Sequence, residues 1–474
     1  MVSTNGTNGH TNGTSIQATK LIAKFVANAT PKQLTRDLRE KVKEVIIDYI
    51  GVVVGALDHA ESTDAIYNAV VGLQGKGNTG RCTVLGKGSP HMLPQYAALL
   101  NSAFGHSMDF DDTYAEGTLH AGVTAISAAM TQAEVLGDEA SSEQLMLAIS
   151  VGYEVTCRLG RETGFAAYDR GFHNTSTTGI FGAVAAIAVL KRLSAETVEM
   201  AFGLAGSKAA GSMQYLDNGS WNKRLHPGFA VHDAFMCVSL AECGVIGATN
   251  IFEGKNGFLQ AYSPNPKPDL QRLTSSLGEQ WAWLASSLKP FPACRMTHGF
   301  IELAGNVNAA HNGRVTAGDV KAITLTMPVS CNRLIGDPIP NKIHPKNTID
   351  GQFSAYFQVA NALVYGPNTG LQAYQRLSDS DINGLCDKVT VKTDDSMGGF
   401  SAKMRFEWAD GTVEDMDQEY PLGELQHPFT RDKVDEKFMG LAGPVYGREK
   451  AKKIISTIDG IEEKNIEELL VLLR

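Results

Sequence analysis

The stretch GIFGAVAAIAVLKRL at 179–193 sets the first constraint on this chain. Up to Lys191 it has no charged residue, and Ala, Gly, Ile, Val and Phe occupy every side of the helical wheel. A helix that is apolar all round has to be covered by protein on all faces. The nearby stretch MAFGLAGSKAAGSM (200–213) is similarly rich in Ala and Gly. Only a large helical body can bury such segments, and 474 residues with 43% hydrophobic and 20% charged content are enough to build one.

Helical signals continue through the first half. Thr30-Pro31-Lys32-Gln33 has capping-box spacing with Pro at the first helical position, so a helix is predicted to start there. Leu38, Val42, Val45, Ile46, Tyr49, Ile50 and Val53 then recur at helical spacing, and Ser141-Ser142-Glu143-Gln144 opens a further helix by the same logic. The pattern changes near residue 287. VKAITLTMPVS (320–330) alternates Ile323, Leu325 and Met327, and residues 402–416 alternate Met404, Phe406 and Trp408 ahead of Asp410-Gly411, which is a strand and hairpin signal. Beyond Pro421 the pattern is helical again. The predicted fold is mainly α: a large all-helical domain formed by both chain ends (18–286 and 423–474), with a smaller α+β lid domain (287–422) inserted between them. Residues 1–17 read as a disordered polar tail.

Several function classes are disfavoured. A net charge of -9 and a pI near 5.8 argue against a nucleic-acid partner. No uncharged apolar run approaches the length of a membrane span. Seven scattered cysteines without a CxxC fit reduced thiols, which points to the cytoplasm, a mitochondrial location staying open. No Gly-rich phosphate loop follows a strand, so no nucleotide cofactor is expected.

The stretch HSMDFDDTYAEGTLH (106–120) packs three aspartates into four positions between two histidines. A DDxxD magnesium box would need a carboxylate at 115, where Ala115 stands, and magnesium prefers oxygen ligands to imidazoles. No metal is therefore expected. A capped loop explains two of the three aspartates. Three other loops have similar character. GFHNTSTTG carries His173, DNGSWNKRLHPGFAVHD carries Lys223, Arg224 and His226, and SLKPFPACRMTHG carries Lys289, Cys294, Arg295 and His298. Four such loops opening on Ala/Gly-rich helices would form one cationic cleft.

In this order and spacing, HSMDFDDTY, LHAG, GFHNTSTTG, GSWNKRLHPGFAVHD and LKPFPACRMTHG resemble the MmgE/PrpD family, which includes 2-methylcitrate dehydratase and cis-aconitate decarboxylase. The resemblance implies a homodimer of helical domain and lid, an active site between them, small citrate-like polycarboxylate substrates, and no metal or organic cofactor. Carried over, it assigns Asp109, His120, His173 and Lys223 to catalysis. By the same resemblance Thr113 and Lys289 line the site while Asp111 and Asp112 are structural, and the cationic loops themselves offer Arg224, His226 and Arg295 as further substrate-binding groups. Cys294 stands where the mammalian decarboxylase has a histidine. Phe357 aligns with an active tyrosine of the family, and Tyr356 beside it is the replacement candidate.

Lysines neutralising carboxylates and histidines moving a proton suit two lyase reactions. The leading expectation is dehydration of 2-methylcitrate or a longer alkylcitrate. The alternatives are decarboxylation of cis-aconitate to itaconate, epimerisation or isomerisation of a small dicarboxylate, and a non-catalytic helical binding protein.

Overall fold

The computed structural model describes residues 16–75, 77, 80–88 and 91–474. The expected tail falls outside these residues except for Ile16 and Gln17, which lead straight into the helix Ala18–Asn28. The capping box at Thr30 forms but closes only a 3-10 turn, Pro31–Gln33. Thr35 then accepts from the Leu38 amide and starts the long helix Arg36–His59. The helix predicted from Thr30 thus begins one capped turn later. At Ser141 the box starts the helix Ser142–Asp169 directly.

Residues 179–190 are all buried within the helix Gly179–Lys191. It is covered by the helices Ser142–Asp169, Asn222–Glu242 and Gly122–Leu136. The chain's two ends meet on Arg36–His59, against which Arg431–Tyr446 packs. Gly51 and Gly55 make this possible: a Cβ at either would lie 3.1 Å from Phe438 or 2.8 Å from Leu441. One apolar core runs through all these helices, from Ala18 to Leu288 and again from Val434 to Leu473.

A second apolar core lies around a four-stranded sheet of order β2-β1-β3-β4. Its strands are β1 Val320–Met327, β2 Val389–Thr393, β3 Ala402–Trp408 and β4 Val413–Gln418. β1 pairs parallel to β2 and antiparallel to β3, and β3–β4 is the expected hairpin. β2 escaped sequence reading because it alternates weakly and has only one buried position. Alternate residues Ile323, Leu325, Met327, Met404 and Phe406 are buried in this core, where the helix His298–Ala310 packs against β3, β4 and the helix Ala355–Tyr365. Tyr168, Met213 and Tyr215 reach into this second core from the helical part of the chain.

The segment 108–113 runs between the two cores and is tied to both. Thr113 exchanges two backbone hydrogen bonds with Ser287, each 2.8 Å, and the Gln352 amide donates to the Met108 carbonyl at 2.7 Å. The Lys437 ammonium donates to the carbonyls of Phe110 (2.7 Å) and Lys289 (3.1 Å) while paired with Asp48 at 2.6 Å. No helix among the described residues is long and apolar enough to cross a membrane.

Candidate functional site

The loop between Pro94–Ser107 and Gly122–Leu136 delivers three aspartates into three different environments. Asp109 sits at φ 52°, a left-handed conformation that a non-glycine residue keeps only when its surroundings hold it there. They do: Lys289 donates to its carbonyl at 2.9 Å, and its Oδ1 is 2.8 Å from Lys223 Nζ and 3.1 Å from Lys289 Nζ. Burial alone would raise the Asp109 pKa, but the two ammonium groups and His120 pull it far below the carboxylate range.

Asp111 lies between two imidazoles. Its Oδ2 is 2.7 Å from His106 Nδ1, and its Oδ1 is 3.2 Å from His120 Nδ1, off the line of a hydrogen bond. Burial opposes its ionisation, yet the two histidines hold it well below the ordinary value. Asp112 turns the other way and accepts from the Gly122 amide at 3.0 Å, capping the next helix. Burial, with Asp111 and Asp48 nearby, pushes its pKa up to about 8.

The other loops complete the site. The helix Asn222–Glu242 carries Lys223 in its first turn, where Nζ also lies 3.0 Å from His106 Nε2. The Thr175 hydroxyl accepts from the His120 amide at 3.1 Å, and Asn174 donates to the Gly117 and Gly164 carbonyls, fixing the His173 loop against the aspartate loop. Burial and the neighbouring Lys289 and Lys223 lower the His120 pKa against the pull of Asp111. His106 goes down to about 3, driven first by burial and then by Lys223. Both imidazoles are therefore neutral near pH 7.

Asp109, Thr113, His120, Lys223, Lys289, Cys294 and Arg295 line one cavity of about 50 Å³, together with Tyr168, Tyr215, Met296, Leu334, Phe353 and Phe400. That volume holds one or two waters. Beside the charged groups, most of the wall is aromatic or aliphatic.

Four expected site residues are placed otherwise. Arg224 is buried but its guanidinium reaches Glu61 at 3.0 Å and Ser62 at 2.8 Å, because it lies one helical step past Lys223. Tyr356 donates to the Gly336 carbonyl inside the second core, so its hydroxyl is not on the cavity wall. His173 and His226 lie behind the wall, Nδ1 to Nδ1 at 3.1 Å, with the His173 ring stacked 5.5 Å from His106. Arg295 touches the cavity, but its guanidinium is taken up by Glu424, His298 and the carbonyls of Leu422 and Pro421. That leaves Lys223 and Lys289 as the cations facing the cavity among the described residues. Burial pushes the Cys294 thiol up to about 11, so it is a wall group and not a thiolate.

Sequence reasoning missed Asp111 as a histidine clamp, and His106, Tyr168, Tyr215, Phe353 and Phe400. His106 was visible as one of the bracketing histidines, and Gly398-Gly399 before Phe400 signalled a loop tip; the tyrosines carried no local signal. His106, Asp111 and His120 offer three possible metal-ligand atoms within 4.8 Å of one another. His106 Nδ1 is already hydrogen-bonded to Asp111 at 2.7 Å and the ammonium of Lys223 lies against the same imidazole, a cation where a metal would be repelled, while His120 Nδ1 stands 3.2 Å from Asp111 without a hydrogen bond.

The N-terminal domain of the MmgE/PrpD family matches residues 20–271 and its C-terminal domain matches 291–463. A cis-aconitate decarboxylase-like protein, oryM, of Aspergillus oryzae is 26% identical over 472 residues, covering 95% of this chain and 96% of that protein. A cis-aconitate decarboxylase of Aspergillus terreus is 25% identical over 480 residues (96% and 95%), and that of Mus musculus 25% over 475 residues (96% and 92%).

Proposed function

Since the chain belongs to the MmgE/PrpD family and is a lyase of that type, we propose that it decarboxylates a small citrate-like tricarboxylate of the cis-aconitate class. One observation carries this reading. Two ammonium groups, Lys223 and Lys289, converge on a single carboxylate oxygen in a cavity whose remaining wall includes Leu334, Phe353, Met296 and Phe400. A tricarboxylate has one more charge than the site has free cations. Two carboxylates displace Asp109 as partners of the lysines, where charge-assisted hydrogen bonds in a dry site are strong. The third is left against the apolar wall, without the hydration that stabilises it, and gains by leaving as neutral CO2. The C–CO2 bond breaks, its electron pair enters a new double bond, and the former alkene carbon takes a proton. The charge that develops on the way falls on a lysine-held carboxylate. His120, on the wall beside both lysines, moves the proton.

Dehydration of an alkylcitrate is the second reading. It is favoured by Tyr168 and Tyr215, which line the cavity with no hydrogen-bond partner for their hydroxyls among the described residues and could protonate a departing hydroxide. The unit holding the sheet, 287–422, serves as the lid in both readings. Phe400 lies on the wall shared with an outer basin of about 570 Å³, so its movement admits substrate to the small cavity. The proposed assembly is a homodimer in the cytoplasm. Its contact surface is the exposed stripe Trp221, Phe229, Met236 and Leu240 along one helix.

Separate incubations with cis-aconitate and 2-methylcitrate, followed by proton NMR and CO2 detection, test the assignment. CO2 and itaconate from the first are expected. Water loss from the second alone would install the dehydratase reading, and no turnover of either by folded protein would remove the citrate class.

A further inference from the structure

We propose that Asp111 and His106 are positioning residues that fix which nitrogen of His120 takes and gives the proton, within a ring of five side chains. The inference rests on the proton-transfer lyase reading for its catalytic meaning, but its physical content stands on the apo-protein.

The ring is read from contacts. Asp109 Oδ1 meets Lys223 Nζ at 2.8 Å, Lys223 Nζ meets His106 Nε2 at 3.0 Å, and His106 Nδ1 meets Asp111 Oδ2 at 2.7 Å. Asp111 Oδ1 meets His120 Nδ1 at 3.2 Å, and His120 Nε2 returns to Asp109 Oδ1 at 3.7 Å. Donor and acceptor rules give the ring a direction. An ammonium only donates, so His106 Nε2 accepts, and a neutral His106 carries its proton on Nδ1 toward Asp111. A carboxylate only accepts, so the remaining oxygen of Asp111 faces an N–H on His120 Nδ1. That leaves His120 Nε2 with the lone pair. Its distance of 3.7 Å from Asp109 is too long for a hydrogen bond, so this is the open position of the ring, and His120 is on the cavity wall. The off-line Nδ1 contact is of the kind that tightens when substrate binds.

His106 is fully covered, with its ring edge-on to His120 at 4.7 Å, and is absent from the cavity wall, so it cannot touch a substrate. It acts through Asp111. The charged and titratable groups facing His120 are Asp109, Asp111, Lys223, Lys289 and His106.

Asp111→Asn turns the ring at a defined point. The Asn carbonyl has to accept from His106, so its NH2 faces His120 Nδ1 and makes that nitrogen the acceptor. The His120 proton moves to Nε2 and the lone pair leaves the cavity. A wrong-tautomer change of this kind is worth up to ~10⁴-fold in kcat in serine proteases.

Solid-state 15N NMR of histidine-labelled wild-type protein near neutral pH, with His120→Gln identifying the signal, is expected to show His120 protonated on Nδ1. Protonation on Nε2 overturns the proposal without any variant having to fold. In Asp111→Asn the signal should switch to Nε2–H, with kcat at least ~10²-fold lower and KM within about threefold. His106→Gln, whose amide can accept from Lys223 and donate to Asp111, should keep kcat within about tenfold, whereas His106→Leu should not. Unchanged kcat in Asp111→Asn, or equal losses in the two His106 variants, also overturns it. A correct tautomer in a protein that turns over no citrate-class acid would instead defeat the lyase substrate assignment and leave the ring intact.

Discussion

Replacing Asp112 with Asn should stabilise the protein at neutral pH and have little effect in acid. The Asp112 carboxyl is fully buried, accepts from the Gly122 amide at 3.0 Å, and has a pKa pushed to about 8 by burial and by Asp111 and Asp48, against an ordinary value of 3.8. Between those two pH values the folded chain keeps a proton that the unfolded chain has released. Stability from this group is therefore full below pH 3.8 and is lost as pH rises toward 8. Each unit costs about 1.4 kcal/mol, so about 4 kcal/mol is missing at pH 7, and the loss levels off above pH 8. Asn has no proton to lose and keeps the oxygen that caps Gly122. For a chain of this length the unfolding entropy is about 1 kcal/mol/K, so the variant should melt about 4 °C above wild type at pH 7. The assay is thermal unfolding of both proteins by circular dichroism from pH 4.5 to 8.5. The gap should open from about 1 °C at pH 4.5 through about 4 °C at pH 7 to about 6 °C at pH 8.5. Parallel melting curves, or an Asn variant less stable than wild type at pH 7.5, would refute the protonated, buried carboxyl.

The remaining predictions concern the site and the assembly. Lys223→Met should lower kcat by at least ~10²-fold, because it removes the ammonium shared by Asp109 and His106, whereas Arg224→Met, which loses the Glu61, Ser62 and Trp221 contacts away from the cavity, should keep kcat within about threefold; steady-state kinetics separates them. Because burial and the two lysines lower the His120 pKa, activity that needs the neutral imidazole should persist below pH 6.5, and a kcat/KM profile falling already above that pH would contradict it. Dialysis against a chelator should leave turnover unchanged, and loss restored by a divalent cation would return the His106, Asp111 and His120 cluster to the metal reading. Phe229→Glu together with Met236→Glu should shift the sedimentation mass from dimer to monomer; a wild-type protein that is already monomeric removes the dimer proposal.

The sequence alone determined what depends on local pattern. The all-round apolar run at 179–190 could only be a covered helix, the Ser141 box had to start one, and the alternation before Asp410-Gly411 had to be a hairpin. It also delivered the family and the charged residues of the cavity, since Asp109, His120, Lys223 and Lys289 stand in recognisable blocks. What it could not determine is which way a side chain points when neighbouring positions have the same chemistry. Lys223 and Arg224 are adjacent cations, yet one helical step sends the first to Asp109 and the second to Glu61. Asp109, Asp111 and Asp112 are the same residue type within four positions, yet one is ion-paired, one clamps two imidazoles and one stays protonated. The Asp109 pairing comes from Lys223 and Lys289, more than 100 residues away, and the other two states come from burial and from how the fold sets His106, His120 and Asp48 around the loop, which only the folded chain supplies. Short-range spacing fixes the backbone's path, while charge state and direction belong to the three-dimensional surroundings.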